Sequence, residues 1–170
     1  MTELFTSVAP DRRGQVIGVT ARRVVLALFA LVSLAALAGL IGQRPSVSAH
    51  ATPAVRMTLS APETVRGGIF FQSRVDVRAL RPIQYPRLVL SDGWLEGMQV
   101  NSIEPSPASE SSRDGRVVLS YGSLQAGDIL RVWMQFEVNP TNVGNRSYTL
   151  ELDDGDHPIA RIPRTLRVLP

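Results

Sequence analysis

The sequence predicts an all-β chain, a single immunoglobulin-like antiparallel β-sandwich preceded by one N-terminal transmembrane helix. Three observations lead there. An uncharged run of 18 residues, Val24–Ile41, lies near the N-terminus. Beyond it, apolar and polar side chains alternate with period two, as in Leu130-Arg131-Val132-Trp133-Met134-Gln135-Phe136-Glu137-Val138, the pattern of a strand with one buried and one solvated face. Turn signals such as Asp92-Gly93 and Asp114-Gly115 recur at intervals of roughly ten residues with no amphipathic helix pattern between them, which favours a sandwich over a parallel α/β sheet.

As a helix, the apolar run reaches roughly 27 Å, close to the hydrocarbon thickness of a bilayer. Only Ser33 interrupts it, whereas a helix on a soluble protein carries a polar face. Lipid is therefore the expected partner of residues 24–42. Arg12, Arg13, Arg22 and Arg23 precede the run, and only Arg44 follows it closely. That asymmetry keeps residues 1–23 as a cytoplasmic tail and carries the rest across the plasma membrane. A cleaved signal is the alternative: Val47-Ser48-Ala49 offers small residues to a signal peptidase, and a cut near Ala49 releases a secreted binding domain for a wall polymer or glycan. Against it, the run exceeds the roughly 7–15 apolar residues of a signal. Arg22-Arg23-Val24-Val25-Leu26 also loosely matches a twin-arginine export signal.

The net charge of +3 and the pI near 10.1 invite a nucleic-acid reading, but the charges are distributed against it. Residues 1–44 hold five arginines and two acids, while residues 45–170 hold 13 arginines and 13 acids. The excess belongs to the membrane-flanking region, so no nucleic-acid partner is expected. All 18 basic residues are Arg, a bias that fits a GC-rich bacterial genome. With no cysteine, the chain has neither a disulfide framework nor a thiolate nucleophile, and an extracytoplasmic domain must be held by core packing.

Residues 43–54, rich in Pro, Ser, Ala and Thr, read as a linker, and the β-sandwich domain as 55–170. Strands are predicted at Arg56–Ser60, Phe71–Arg78, Arg87–Ser91, Gly97–Ile103, Val117–Tyr121, Leu130–Val138, Ser147–Leu152 and Ile159–Val168. Within this span, Leu88-Val89-Leu90-Ser91-Asp92-Gly93-Trp94-Leu95-Glu96-Gly97-Met98 is followed by Gly122-Ser123-Leu124-Gln125-Ala126-Gly127, which leads into the long alternating strand. This order of features, from Phe70 to Asp156, resembles the immunoglobulin-like "conserved repeat" domains of bacterial surface proteins, a family whose members mostly lack an assigned biochemical role. The resemblance implies a sandwich fold. It departs from the family in having one copy and many arginines instead of Thr-rich tandem repeats.

Catalytic motifs are absent. The two histidines, His50 and His157, fall in the predicted linker and in an acidic turn. No P-loop, nucleophile elbow, dinucleotide fingerprint or H-E-x-x-H occurs, so no cofactor is expected. The paired-carboxylate chemistry of a carbohydrate-active enzyme has no motif to mark it, and a small sandwich offers it little concavity. Asp153, Asp154 and Asp156 cluster hard oxygen donors in one turn and form a Ca²⁺ candidate, with Asn142 or Asn145 as added ligands, although the spacing is not that of an EF-hand. Strand parity turns Trp133 outward with Arg131, Gln135 and Glu137. An outward tryptophan with the arginines Arg74 and Arg78 marks an interaction surface, whereas Trp94, after a turn, is expected to plug one end of the sandwich. The chain therefore reads as a non-catalytic protein-interaction or structural accessory module of the bacterial cell envelope, partnered by a membrane or envelope protein.

Overall fold

A computed structural model describes residues 12–38 and 43–170, which form two units, one within residues 1–42 and one spanning Gln43–Pro170. The first contains α1 (Arg12–Leu37). Its window Gly18–Leu37 is long and apolar enough to cross a membrane, and Val24, Leu28, Phe29, Leu31 and Leu34 are all exposed. The helix begins earlier than the predicted span, so Arg12–Arg23 of the predicted tail is helical. Residues 39–42, the end of the predicted span, lie outside the described residues, as do residues 1–11.

The second unit is all-β. Its strands are β1 (Pro45–Ala51), β2 (Val55–Pro62), β3 (Thr64–Arg66), β4 (Phe70–Ala79), β5 (Pro86–Leu90), β6 (Met98–Glu104), β7 (Ser109–Arg113), β8 (Arg116–Ser120), β9 (Ile129–Val138), β10 (Gly144–Asp154) and β11 (His157–Leu169). One sheet has the order β1-β2-β4-β9-β6, the other β3-β11-β10-β5-β8-β7. In an immunoglobulin sandwich, strands A, B, E and D form one sheet and C, F and G the other. Here β2, β4, β9 and β6 fill the first set and β5, β10 and β11 the second, in the same chain order, so the fold is immunoglobulin-like. To this plan the chain adds β1 outside β2, the β7–β8 hairpin beside β5, and β3, which leaves the first sheet after Pro62 to pair parallel with β11.

All eight predicted strands are present. Three strands were not predicted, and one of them corrects the domain boundary: the supposed linker contains β1, paired with β2 from Pro45↔Pro62 to Ala51↔Arg56. Its Ser, Ala and His residues carry no hydrophobic alternation because this edge strand buries little, which is also why β7, exposed along its length, escaped notice. β3 is only three residues long, too short for a period to register.

The core fills the space between the sheets with inward residues of every central strand, including Met57, Leu59, Val75, Val132, Leu88, Leu150 and Leu166. Trp94 sits on a 3₁₀ turn, Asp92–Trp94, buried with its indole N–H donating to the Thr149 carbonyl at 2.9 Å. Its ring meets Tyr148 edge-on at 4.4 Å and Phe136 at 5.2 Å, and Phe136 stacks on Phe71 at 5.1 Å. The turn must run against β10, for a side chain at Gly93 would place its Cβ 2.1 Å from the Ser147 carbonyl oxygen.

One charged side chain is buried among the described residues. Arg164, on the inner face of β11, crosses to the other sheet, where its guanidinium donates to the carbonyls of Ser46 (3.0 Å), Leu59 (3.4 Å) and Ala61 (3.2 Å) and to the Ser46 hydroxyl. Glu63 lies 3.6 Å away. Buried charge is tolerable only when its donors are satisfied, and here they are used to hold β1 and β2 to β11. Arg164→Met should cost about 2–4 kcal/mol, and Ser46→Ala about 1 kcal/mol. In urea unfolding the double variant should lose less than the sum of the two, the mark of a shared interaction.

Candidate functional site

The outer face of the first sheet carries the candidate site. Register aligns one residue from each of its five strands in a single row: Val47 opposite Ser60, Ser60 opposite Arg74, Arg74 opposite Trp133, and Trp133 opposite Glu104. Trp133 is 36% exposed, as its parity in β9 requires. The Arg74 guanidinium carbon lies 5.2 Å from the indole centroid, a cation–π approach that covers part of the ring. Asp76, one row along, holds Arg74 at 3.0 Å and also accepts from Arg131 directly across the strand pair. The side chains thus form a ladder, Arg131 to Asp76 to Arg74 to Trp133, across an open sheet face.

Beside the ring is a hollow of about 330 Å³, lined among others by Gln43, Pro45, Ser60, Pro62, Arg74 and Trp133. Among the described residues, no histidine or carboxylate lines it. Of the three predicted interaction residues the structure brings two together. Arg78 is opposite Ile129, about 13 Å along β4 from Arg74, and belongs to another part of the sheet. The residues that sequence reading missed, Val47, Gln43 and Pro45, come from the segment taken as linker. Their place beside Trp133 is a matter of strand register, which no local pattern encodes.

A second hollow, about 580 Å³, opens where β6 parts from β8, with Leu90, Val100, Ile103 and Val117 inside and Glu104 and Glu110 at its rim. It is the open seam of the sandwich, where inner-face residues of both sheets meet solvent.

The aspartates of the β10–β11 turn do not converge on a cation. Asp154 accepts the Tyr85 backbone N–H at 2.8 Å. Asp156 accepts from both Arg87 and Arg113 at 3.0 Å, and these hydrogen bonds and charges, Arg113 foremost, hold its carboxyl below the usual range. Among the described residues no three His, Cys, Asp or Glu side chains are placed to hold a metal. Asn142 and Asn145, offered as added ligands, lie toward the far end of β10, where Asn142 donates to the carbonyls of Glu96 and Gly97. The local sequence presented the three acids but not the arginines that β5 and β7 bring to Asp156.

Asp153 differs from its neighbours. Burial, aided by the charge of Glu151, raises its pKa against the pull of Arg87, Arg116 and Arg113, and its Oδ1 is buried without a hydrogen-bond partner. A carboxyl whose folded pKa is raised favours the folded state while protonated, and that advantage is lost as pH rises through the folded value. Asp153→Asn should therefore raise the melting temperature at pH 7. The gain should vanish in acid, below the usual carboxylate range, where the wild-type carboxyl is itself neutral. Asp156→Asn should act in the opposite sense, lowering the melting temperature at pH 7 and losing its effect in acid.

No family model matches the chain, and no curated protein matches it. Among solved structures it is similar to a CARDB domain from Pyrococcus furiosus in complex with di-metal ions, at 11% identity over 74% of this chain and 94% of that one, with a TM-score of 0.43. It is also similar to CaCohA2 from Clostridium acetobutylicum, at 12% identity over 75% of this chain and 93% of that one, with a TM-score of 0.44. Similarity at this level carries neither ligand nor partner from one chain to another.

Proposed function

We propose that the chain is a single-pass, membrane-anchored extracytoplasmic β-sandwich, acting as a non-catalytic interaction module of the bacterial cell envelope, with the Trp133–Arg74 face as its protein-contact surface. The observation that carries the anchored reading is the position of Ala49 inside β1, opposite Thr58. Cleavage there would split a paired strand and remove Ser46, to which Arg164 donates twice. A buried guanidinium would be left with half its partners, at a cost typical of a broken buried polar network. An uncleaved chain keeps them. The four arginines before the apolar run, against Arg44 after it, support an N-terminus on the cytoplasmic side.

The interaction reading is supported by the Trp133 row. Tryptophan and arginine dominate the energetics of protein interfaces, and here an indole and a guanidinium are held together on a flat sheet face beside a hollow.

Two outcomes follow. The full chain of 18.5 kDa should remain in the membrane fraction after an alkaline carbonate wash, and a soluble product beginning near His50 would favour the secreted alternative. Once a partner is in hand, Trp133→Ala should weaken its binding at least tenfold, about 1.4–3 kcal/mol, whereas Arg78→Ala should change it little. Equal losses from both variants would remove the Trp133 face from the interface.

A further inference from the structure

The sandwich has two ends, and one of them is where the chain enters it. Gln43 and Pro45 are there, with Pro45 opposite Pro62 at the end of β2. Three loops gather at the same end: 67–69 between β3 and β4, 91–97 between β5 and β6, and 139–143 between β9 and β10. They are tied to one another and to the sheets. The Gly68 N–H donates to the Val138 carbonyl at 2.8 Å, and the Asn139 N–H to the Gly97 carbonyl at 3.0 Å. The Asn142 amide, buried, donates to the Glu96 and Gly97 carbonyls at 3.1 and 3.2 Å. Gly97 has φ +67, and a Cβ on it would collide with the Asn142 side chain, so this end is a fitted platform.

Bulky apolar side chains are exposed at this end: Ile69 (37%) and Val143 (48%) in the loops, and Phe70 (52%) at the start of β4 on the outer face of the first sheet. Arg44 and Arg66 are exposed beside them. Loop tips of soluble domains are ordinarily built from small and polar residues, so bulky apolar residues in two neighbouring loops, with Phe70 exposed at the strand end next to one of them, call for an occupant. Chain length identifies it. Only residues 38–42 separate α1 from Gln43, and five residues span at most about 18 Å even when fully extended. With α1 in a bilayer, the chain enters the sandwich within that reach of the helix end.

We infer that the end of the sandwich at which the chain enters is a lipid-contact surface: Ile69, Phe70 and Val143 enter the boundary between headgroups and acyl chains, and Arg44 and Arg66 meet lipid phosphates. The inference rests on the anchored reading given above. Apolar side chains that penetrate roughly 5–10 Å, flanked by arginines, are the recognised means of holding a surface to a bilayer.

The absence of cysteine permits a direct test, since one introduced thiol reports one position. The full chain is reconstituted in nanodiscs of phosphatidylcholine and phosphatidylglycerol as Phe70→Cys, Val143→Cys, Tyr85→Cys or Ile129→Cys, each carrying an environment-sensitive fluorophore. Tyr85 and Ile129 are exposed at the opposite end, about 30 Å away along the length of β9. Lipids spin-labelled at the headgroup should quench positions 70 and 143 and leave 85 and 129 unaffected, while aqueous iodide should show the reverse order. Equal iodide access at both ends, in a chain that resists alkaline extraction, overturns the lipid contact alone. So does protection of positions 70 and 143 that appears only when other membrane proteins are added, because a protein then covers this end. Release of the chain by alkali overturns the anchored reading and the lipid contact together.

Discussion

The guanidinium of Arg164 is the constraint on which the arrangement of this domain turns. A sandwich of this kind is closed by apolar packing between its sheets, and β1 takes little part in that packing: its residues are small or polar and most are exposed. What keeps β1 in place beyond its ladder with β2 is a charge brought in from the opposite sheet, which finds acceptors on both β1 and β2. The pair of sheets and the added edge strand thereby become one body. The same interaction extends the folded unit back to Pro45, so that residues 45–51 are part of the sandwich.

The central strands were legible because each buries one face and wets the other. In β4 and β9, which cross the middle of the first sheet, every second residue is buried, so the period written in the sequence is the period of burial. Edge strands escape such a reading for the converse reason. Nothing in Pro45–Ala51 or Ser109–Arg113 pairs an apolar face with a core, and their strand character comes from partners remote in sequence. The linker assigned to residues 43–54 failed on this point: composition recorded low burial, and low burial at a sheet edge is not the same as absence of structure.

The same division runs through the candidate site. Parity alone turned Trp133 outward, and the structure places it there. Its companions were legible only in part, since Arg74 faces it through the β4–β9 register, whereas Val47 reaches the row through two further pairings. Arg78 shares the parity of Arg74 but not its position along the strand, which shows how far parity goes: it selects a face and not a place on it. The aspartates of the β10–β11 turn mislead in another way. Adjacent acids in a turn look like a cation site until the arginines of neighbouring strands are seen, and at Asp156 two of those arginines already occupy the carboxylate.

The two tryptophans set out the economy of the domain. Trp94 is almost wholly buried, with its N–H satisfied by a backbone carbonyl, and it contributes packing that a disulfide would otherwise reinforce. Trp133 keeps about a third of its surface in water, a standing cost for so large an apolar group. A cation–π contact at an exposed site returns only about 0.5–1 kcal/mol, so the contact with Arg74 does not by itself account for the placement. Its effect is on placement: Asp76 draws the Arg74 guanidinium toward itself and Arg74 lies over the indole, which restricts the positions open to the ring. Since the entropy of ordering side chains is a principal penalty in association, a ring already packed against Arg74 is the arrangement that the proposed contact surface requires.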